Sequence, residues 1–355
     1  VTKVERIDAL RVRIKYVKAD STSAASTILS NAELDDLLKQ ISAVTTANPA
    51  PLKNPIYWGA RMDGEVYGGG DAPWDQATWN TFEAHAGRKA SLVSFGQPAP
   101  WVQAFSSTPL NLCYARGAVP MMDMQIGTNT LAEIAAGVRD TEIIAWAKSV
   151  ALYKRPFLYR WCHEMNGQWY GYGAEAAINP AIYVAAWRHW RDLCDNAGAT
   201  NLTWVWCPNV IFTGSTDLRS LYPGNAYVDW LGMDGYNSNK PWTSPANVFS
   251  ATYSALSTLN QSAPMVVCET GCTESGGDKA KWITDLYAAL PLAFPRIRAV
   301  SCFNWHIIEG GVRKDWQVES SSAAQAAFAK AVQSSSYVAN GFTATSGKVA
   351  PPNPV

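Results

Sequence analysis

From Pro55 onward, short apolar runs alternate with longer stretches in which apolar residues return every three or four positions. The short runs are Ile56 to Ala60, Ala90 to Phe95, Ala118 to Met122, Phe157 to His163, Leu202 to Cys207, Trp230 to Met233, Met265 to Cys268 and Ala299 to Phe303. Between them the helical period is clearest over Thr141 to Tyr153, Pro180 to Ala197, Pro245 to Leu259, Lys279 to Leu290 and Ala323 to Val332. Strands that are apolar on both faces are the kind buried on both faces. Eight of them, each followed by a helix or a loop and helix, predict an α/β protein with a (β/α)8 TIM barrel.

The first fifty residues follow another pattern. Arg11-Val12-Arg13-Ile14-Lys15-Tyr16-Val17 alternates, as a half-exposed strand does. Residues 21–27 read as a Ser/Thr/Ala linker. Asn31 is placed to cap a helix over Glu33 to Val44, with Leu34, Leu37, Leu38 and Ile41 on one face. The expected organisation is an N-terminal extension at 1–50, a catalytic barrel at 51–335 and a Ser/Gly/Pro-rich surface tail at 336–355. The extension shows no chemistry of its own and is a candidate attachment to a larger assembly or module.

Composition narrows the function. The 355 residues carry 29 basic and 29 acidic side chains, a balance that gives no reason to expect nucleic acid or an anionic membrane as partner. No apolar run is long enough for a transmembrane helix, so membrane insertion is not expected. The first residues do not read as a signal peptide. Sixteen Trp and 15 Tyr are an excess that suggests exposed stacking platforms. Seven Cys form no metal-type spacing. Cys162, Cys207, Cys268 and Cys302 fall in strands as small buried hydrophobes, with a Cys268–Cys272 disulfide as the alternative for that pair. No cofactor is expected.

In a barrel of this kind chemistry sits at the C-terminal ends of the strands. The fourth strand delivers His163, Glu164 and Asn166, followed by Trp169 and Tyr170. The fifth ends at Asn209, the sixth at Asp234-Gly235-Tyr236-Asn237, the seventh at Glu269 and the eighth at Asn304-Trp305-His306. Two glutamates, Glu164 and Glu269, thus face one another across two strand ends. Such a pair suits a retaining glycosidase, in which one carboxyl protonates the leaving oxygen and the other attacks the anomeric carbon. Nearby aromatic rings offer flat apolar faces to a sugar. His306 reads as a hydrogen-bonding histidine rather than a metal ligand. Glu309 and Arg313, in the loop after strand eight, read as a surface ion pair ahead of a substrate contact. Trp74, Trp101 and Trp242 are outer sugar platforms or packed loop anchors.

Arg160-Trp161-Cys162-His163-Glu164-Met165-Asn166-Gly167-Gln168-Trp169-Tyr170 resembles the acid/base motif of glycoside hydrolase family 26, the β-mannanase family. Trp204 to Asn209, Tyr222 to Asn237, Ala135 to Asp140 and Asp315 to Val318 resemble further blocks of that family in order, so that the likeness covers roughly residues 55–332. The resemblance implies that Glu164 is the acid/base and Glu269 the nucleophile. It implies that His163 and Tyr236 position the nucleophile and the sugar, and that Trp169 and Trp305 are aromatic walls. Asn209 and Asp234 match more weakly; a loop-bonding role is expected for Asn209 ahead of a sugar contact, and a loop-holding one for Asp234. After strand three Met122-Asp123-Met124-Gln125 stands where the family has a Trp-Glu type ending. The implied activity is retaining endo-hydrolysis of β-1,4-mannan, with a polysaccharide as the partner. Other β-glycans and a non-catalytic carbohydrate-binding barrel are the alternatives. The expected location is extracellular, or virion-associated if the substrate is a bacterial envelope polysaccharide.

Overall fold

A computed structural model describes residues 3–8, 11–17, 24–30, 54–238, 241–309 and 311–353. The chain divides into two compact units, Val1–Leu52 and Lys53–Val355. In the first, β1 (Lys3–Asp8), β2 (Arg11–Val17) and β3 (Ala24–Ser30) form an antiparallel sheet in that order. The expected linker at 21–27 therefore runs into a strand; Ala-Ser-Thr-Ile-Leu pairs well enough along β2 to extend it. The helix expected over 33–44 lies outside the described residues, as do the side chains of Glu309 and Arg313.

The second unit is a closed parallel barrel. Its strands are β4 (Tyr57–Met62), β5 (Leu92–Gly96), β6 (Val119–Met124), β7 (Phe157–Trp161), β8 (Leu202–Trp206), β9 (Trp230–Asn237), β10 (Met265–Cys272) and β11 (Ile297–Asn304). Each pairs with its neighbour in the chain, and β11 pairs with β4 to close the ring. A hairpin of β12 (His306–Glu309) and β13 (Val312–Asp315) follows.

Alternation along the strands makes two cores. Leu92, Val119, Met121, Leu158, Val205 and Val266 fill the barrel axis, while Tyr159, Trp161, Trp204 and their like face the outer helices. The helix Pro180–Asn196 illustrates the second kind. Proline at its first turn fits the fixed φ of a helix start, and Tyr183, Trp187 and Trp190 pack on Trp161 with ring centroids 5.2 to 6.2 Å apart. Most of the tryptophan excess has this origin. Eight of the 16 Trp rank among the largest fully buried side chains, so they are core rather than the exposed platforms that composition suggested.

Residues 336–353 depart from a surface tail. Trp58 Nε1 donates to Val338 O, Gly341 N and Phe342 N to Gly117 O, Val349 N to Thr203 Oγ1, and Trp230 Nε1 to Val349 O. All four partners outside the segment lie at strand beginnings, so it closes the N-terminal end of the barrel. Val349 belongs to the axial core. Sparse apolar anchors, Tyr337, Phe342 and Val349, do this inside a polar, Gly/Pro-rich stretch.

Candidate active site

Strand β7 stops at Trp161, two residues before the run predicted from the sequence. Cys162 and Glu164 then take positive φ values of 42° and 57°. These are costly conformations for residues with a Cβ and occur where surrounding bonds over-determine the backbone. Here Cys162 N donates to Met124 O and Glu164 N to Cys207 O, which ties the turn to the strands on both sides. The turn carries Glu164 over the strand end. Its Oε1 accepts from Asn209 Nδ2 at 2.6 Å and its Oε2 from Trp169 Nε1 at 2.7 Å. Asn166 Oδ1 in turn receives Asn209 N, and Asn166 Nδ2 donates to Asn209 O. Asn209 therefore does more than bond a loop, since its side chain also holds the carboxyl of Glu164. A Cβ on Gly167 would lie 2.2 Å from the Trp169 ring, so only glycine admits the indole there.

Glu269 reaches the same end of the barrel by a bulge. Val267 pairs with Met233 of β9, but the next pair is Glu269 with Asp234, leaving Cys268 extra; the pairing with β11 shifts at the same place. In a regular strand consecutive residues face opposite sides. The bulge lets Cys268 stay in the axial core while Glu269 also turns inward. There Glu269 Oε1 accepts from Arg160 Nη2, and Oε2 from Tyr236 Oη at 2.6 Å.

Arg160 stands within the motif that ends in Trp169 and Tyr170, but its role is not visible in the residue pattern. It is fully buried and joins three strand ends: Nε donates to Asp123 at 2.6 Å, Nη1 to Asp234 at 2.7 Å and Nη2 to Glu269. Asp234 bonds the loop after β8 through its backbone, as expected, while its side chain is a buried partner of this guanidinium. One signal was available, a lone cation amid the apolar strand Phe157-Leu158-Tyr159-Arg160-Trp161.

The surroundings push the two glutamates in opposite directions. Burial, then the negative Glu269, raises the pKa of Glu164 to about 7, against the donors Asn209 and Trp169. Burial also acts on Glu269, but Arg160, with Arg61 and the Tyr236 hydroxyl among the other contributors, outweighs it and lowers that pKa to about 2. His163 is driven down to about 4, first by burial and then by Arg160, and so is neutral at pH 7. Its Nε2 meets Tyr170 Oη at 3.4 Å rather than bonding Glu269. His163, Asp234 and Glu269 present ligand-type atoms within 4.8 Å of one another, as do Cys207, Asp234 and Cys268. The Arg160 guanidinium already neutralises the carboxylates in both groups, which leaves a cation little to bind.

Beside Glu269 opens a cleft of about 580 Å³, lined among others by Arg61, Gln97, Asp123, His163, Tyr170 and Trp305. Arg61 pairs with Asp123 at 2.6 Å and lies over the Trp305 ring at 5.2 Å. The other rim tryptophans separate. Trp101 packs on Trp190 under Arg139, and Trp242 covers Gly277, so both are loop anchors. Trp74, edge-on to Phe95, stays 47% exposed. All seven cysteines are free and buried; Cys268 and Cys272 lie on one strand, too far apart to bridge. A proton held near neutrality on one carboxyl, beside a second carboxyl kept ionised, can support acid-assisted displacement at a carbon attached to two oxygens.

Comparison with known proteins bears on which reaction this is. Residues 129–335 match the profile described as Glycosyl hydrolase family 26. Endoglucanase H of Acetivibrio thermocellus is 30% identical over 267 residues, which span 71% of this chain and 28% of that protein. A mannan endo-1,4-beta-mannosidase of Bifidobacterium adolescentis is 35% identical over 112 residues, 29% of this chain and 11% of that protein. These relatives are thus much longer than the part matched. Among solved structures, the catalytic domain of the Bacillus sp. JAMB-750 GH26 endo-beta-1,4-mannanase superposes with a TM-score of 0.60 at 15% identity, covering 83% of this chain and 91% of that one, a likeness of fold.

Proposed function

The chain belongs to glycoside hydrolase family 26, and on that premise we propose that it is a retaining endo-β-glycanase that hydrolyses β-1,4-mannan. The observation that carries the mechanism is the opposed protonation of Glu164 and Glu269 at the mouth of one barrel. Glu164 gives its proton to the glycosidic oxygen while Glu269 attacks the anomeric carbon. The carbon–oxygen bond breaks, the leaving chain departs as an alcohol, and a glycosyl ester of Glu269 remains. Water then enters, Glu164 takes its proton, and the water oxygen displaces Glu269. Arg160 and Tyr236 hold Glu269 ionised and oriented for attack. Trp305 and neutral His163 line the side where the retained sugar lies, and Trp169 stands on the side of the leaving sugar. Two inward carboxyls so coupled argue against a barrel that only binds carbohydrate. A polymeric substrate argues for action outside the cell.

The second reading, a β-glucan substrate, draws support from the endoglucanase that matches most of this chain. Met122-Asp123-Met124-Gln125, standing where the family has a Trp-Glu type ending and with Asp123 committed to Arg61 and Arg160, weakens the case for mannan without favouring any one other β-glycan. Reducing-end release from mannan, mixed-linkage glucan, β-1,3-xylan and envelope polysaccharides decides between them. Release from glucan with none from mannan would transfer the assignment.

Two outcomes test the mechanism whatever the glycan. For direct attack the carboxyl carbons of a retaining pair stand about 5–5.5 Å apart, which leaves no room for an intervening water. The first product seen by proton NMR should therefore be the β-anomer, and a 2-fluoro glycoside with an activated leaving group should label Glu269 alone. An α-anomer as first product would identify an inverting enzyme and remove the nucleophile role. The pH profile follows from the opposed shifts. The reactive form has Glu164 protonated and Glu269 ionised, so kcat/KM should fall as pH rises through about 7. On the acid side it should hold until the protein approaches the low range set for Glu269. A flat profile from pH 6 to 9 would contradict the assignment of Glu164.

A further inference from the structure

Three features lie outside the machinery above: the rim tryptophan Trp74, the buried Cys207–Cys268 contact under Glu269, and the exposed apolar pair Ile211 and Phe212. The last adjoins Trp169, the ring whose indole bonds the carboxyl of Glu164. We propose that Phe212, with Ile211 beside it, is a second sugar-binding platform on the leaving-group side, taking a β-linked pyranosyl unit one step beyond the ring that meets Trp169. This rests on the glycanase reading above.

Direction comes from the acid. Trp169 Nε1 donates to Glu164 Oε2 at 2.7 Å, so its ring stands where Glu164 delivers a proton, and the sugar beyond the protonated oxygen lies against it. The ring of Phe212 follows with centroids 5.6 Å apart and planes inclined by 34°. The two rings adjoin, and one of them bonds the Glu164 carboxyl. None of the three apolar side chains fills a core: Trp169 is 51% exposed, Phe212 38% and Ile211 44%. Large exposed apolar side chains that adjoin one another mark a binding surface more often than isolated ones do.

The loop that carries them is braced. Val210 N donates to Asp234 O, and Ile211 N to Thr252 Oγ1 at 2.8 Å. Ser215 N returns to Phe212 O across a turn in which Gly214 takes φ 94°. Thr216 N donates to Asn166 O, in the same loop as Glu164. A ring on such a loop is already ordered before substrate arrives, so little freedom is lost when a sugar stacks on it. The apolar CH faces of a β-linked pyranose suit an aromatic surface, and no charged group is required.

The consequence is a preference for substrates with two units beyond the cleaved bond. Phe212→Ala should lower kcat/KM on polymer and on oligosaccharides that reach that position by about 3–10-fold, mostly through KM. It should leave unchanged an aryl glycoside whose leaving group ends at Trp169. Phe212→Tyr, which keeps the ring, should behave as the parent protein, and neither change should move the melting temperature. Unaltered kinetics on the long substrates would overturn the proposal. So would an equal loss on the aryl glycoside, which would mean that Phe212 only props Trp169. A parent protein that cleaves none of the glycans would sink the glycanase reading and the platform with it.

Discussion

Glu164→Ala is expected to slow hydrolysis of the natural glycan by roughly 10²–10⁴-fold, the usual contribution of a positioned general acid. The physical reason is local. A glycosidic oxygen is a poor leaving group unless protonated, and Glu164 is the carboxyl that burial and Glu269 keep protonated near neutrality. The loss must therefore depend on the leaving group. An aryl glycoside whose phenolate leaves unaided should form the glycosyl ester at nearly the parent rate and then stall, because no base activates water. Azide, a nucleophile that needs no base, should restore turnover and give a β-glycosyl azide. Removing the carboxyl also frees Trp169 Nε1 and Asn209 Nδ2, so Glu164→Gln serves as the companion variant that keeps an oxygen for one of them. Equal loss on both substrates, with no effect of azide, would remove Glu164 from the acid/base role.

Arg160→Met should have the largest effect on stability. Breaking a buried ion pair by deleting one partner leaves uncompensated charge and costs about 3–5 kcal/mol. Here Asp234 and Glu269 lose their cation together, whereas Asp123 keeps Arg61. The pH dependence carries the sign. Glu269 has a lowered pKa in the folded protein, so its stabilisation by Arg160 is present above the ordinary carboxylate range of about 4. It is lost as pH falls toward about 2. The gap in melting temperature between parent and variant should therefore narrow on acidification. In what remains folded, Glu269 should titrate higher, moving the acid limb of kcat/KM upward. Arg160→Lys keeps the charge, but a compact ammonium cannot reproduce a planar fork bonded to three carboxylates, so recovery should be partial. A variant as stable as the parent at neutral pH, with an unmoved acid limb, would show that the guanidinium neither holds the barrel mouth nor sets Glu269.

The barrel was legible because its signal is local. Each strand is short, apolar and bounded by helical periodicity, and this chain keeps that alternation from β4 to the helix Ser322–Val332. The placement of Glu164 and Glu269 was legible for a related reason. Both close apolar runs, and parallel strands in a barrel send their C-terminal ends to one side. Tyr236, Trp305 and Asn209 followed from the same rule. Composition misled where it averaged over the chain. The tryptophans read as platforms are mostly packing between strands and outer helices, and the Ser/Gly/Pro-rich end carries three apolar anchors that average composition hides.

Residue pattern by itself determined that apolar strands alternate with helices and that two glutamates stand at strand ends. Tertiary structure alone decided how those glutamates differ. The extra residue at Cys268 turns Glu269 inward against the simple alternation of its strand, and nothing in Met265-Val266-Val267-Cys268-Glu269 announces it. Arg160 lies 37 positions from Asp123, 74 from Asp234 and 109 from Glu269. A charge meets these partners only after the ring closes. A carboxyl group's protonation depends on what surrounds it in space rather than along the chain, and so the physical cause that sets the two glutamates apart, burial for Glu164 and the buried guanidinium for Glu269, exists only in the folded barrel.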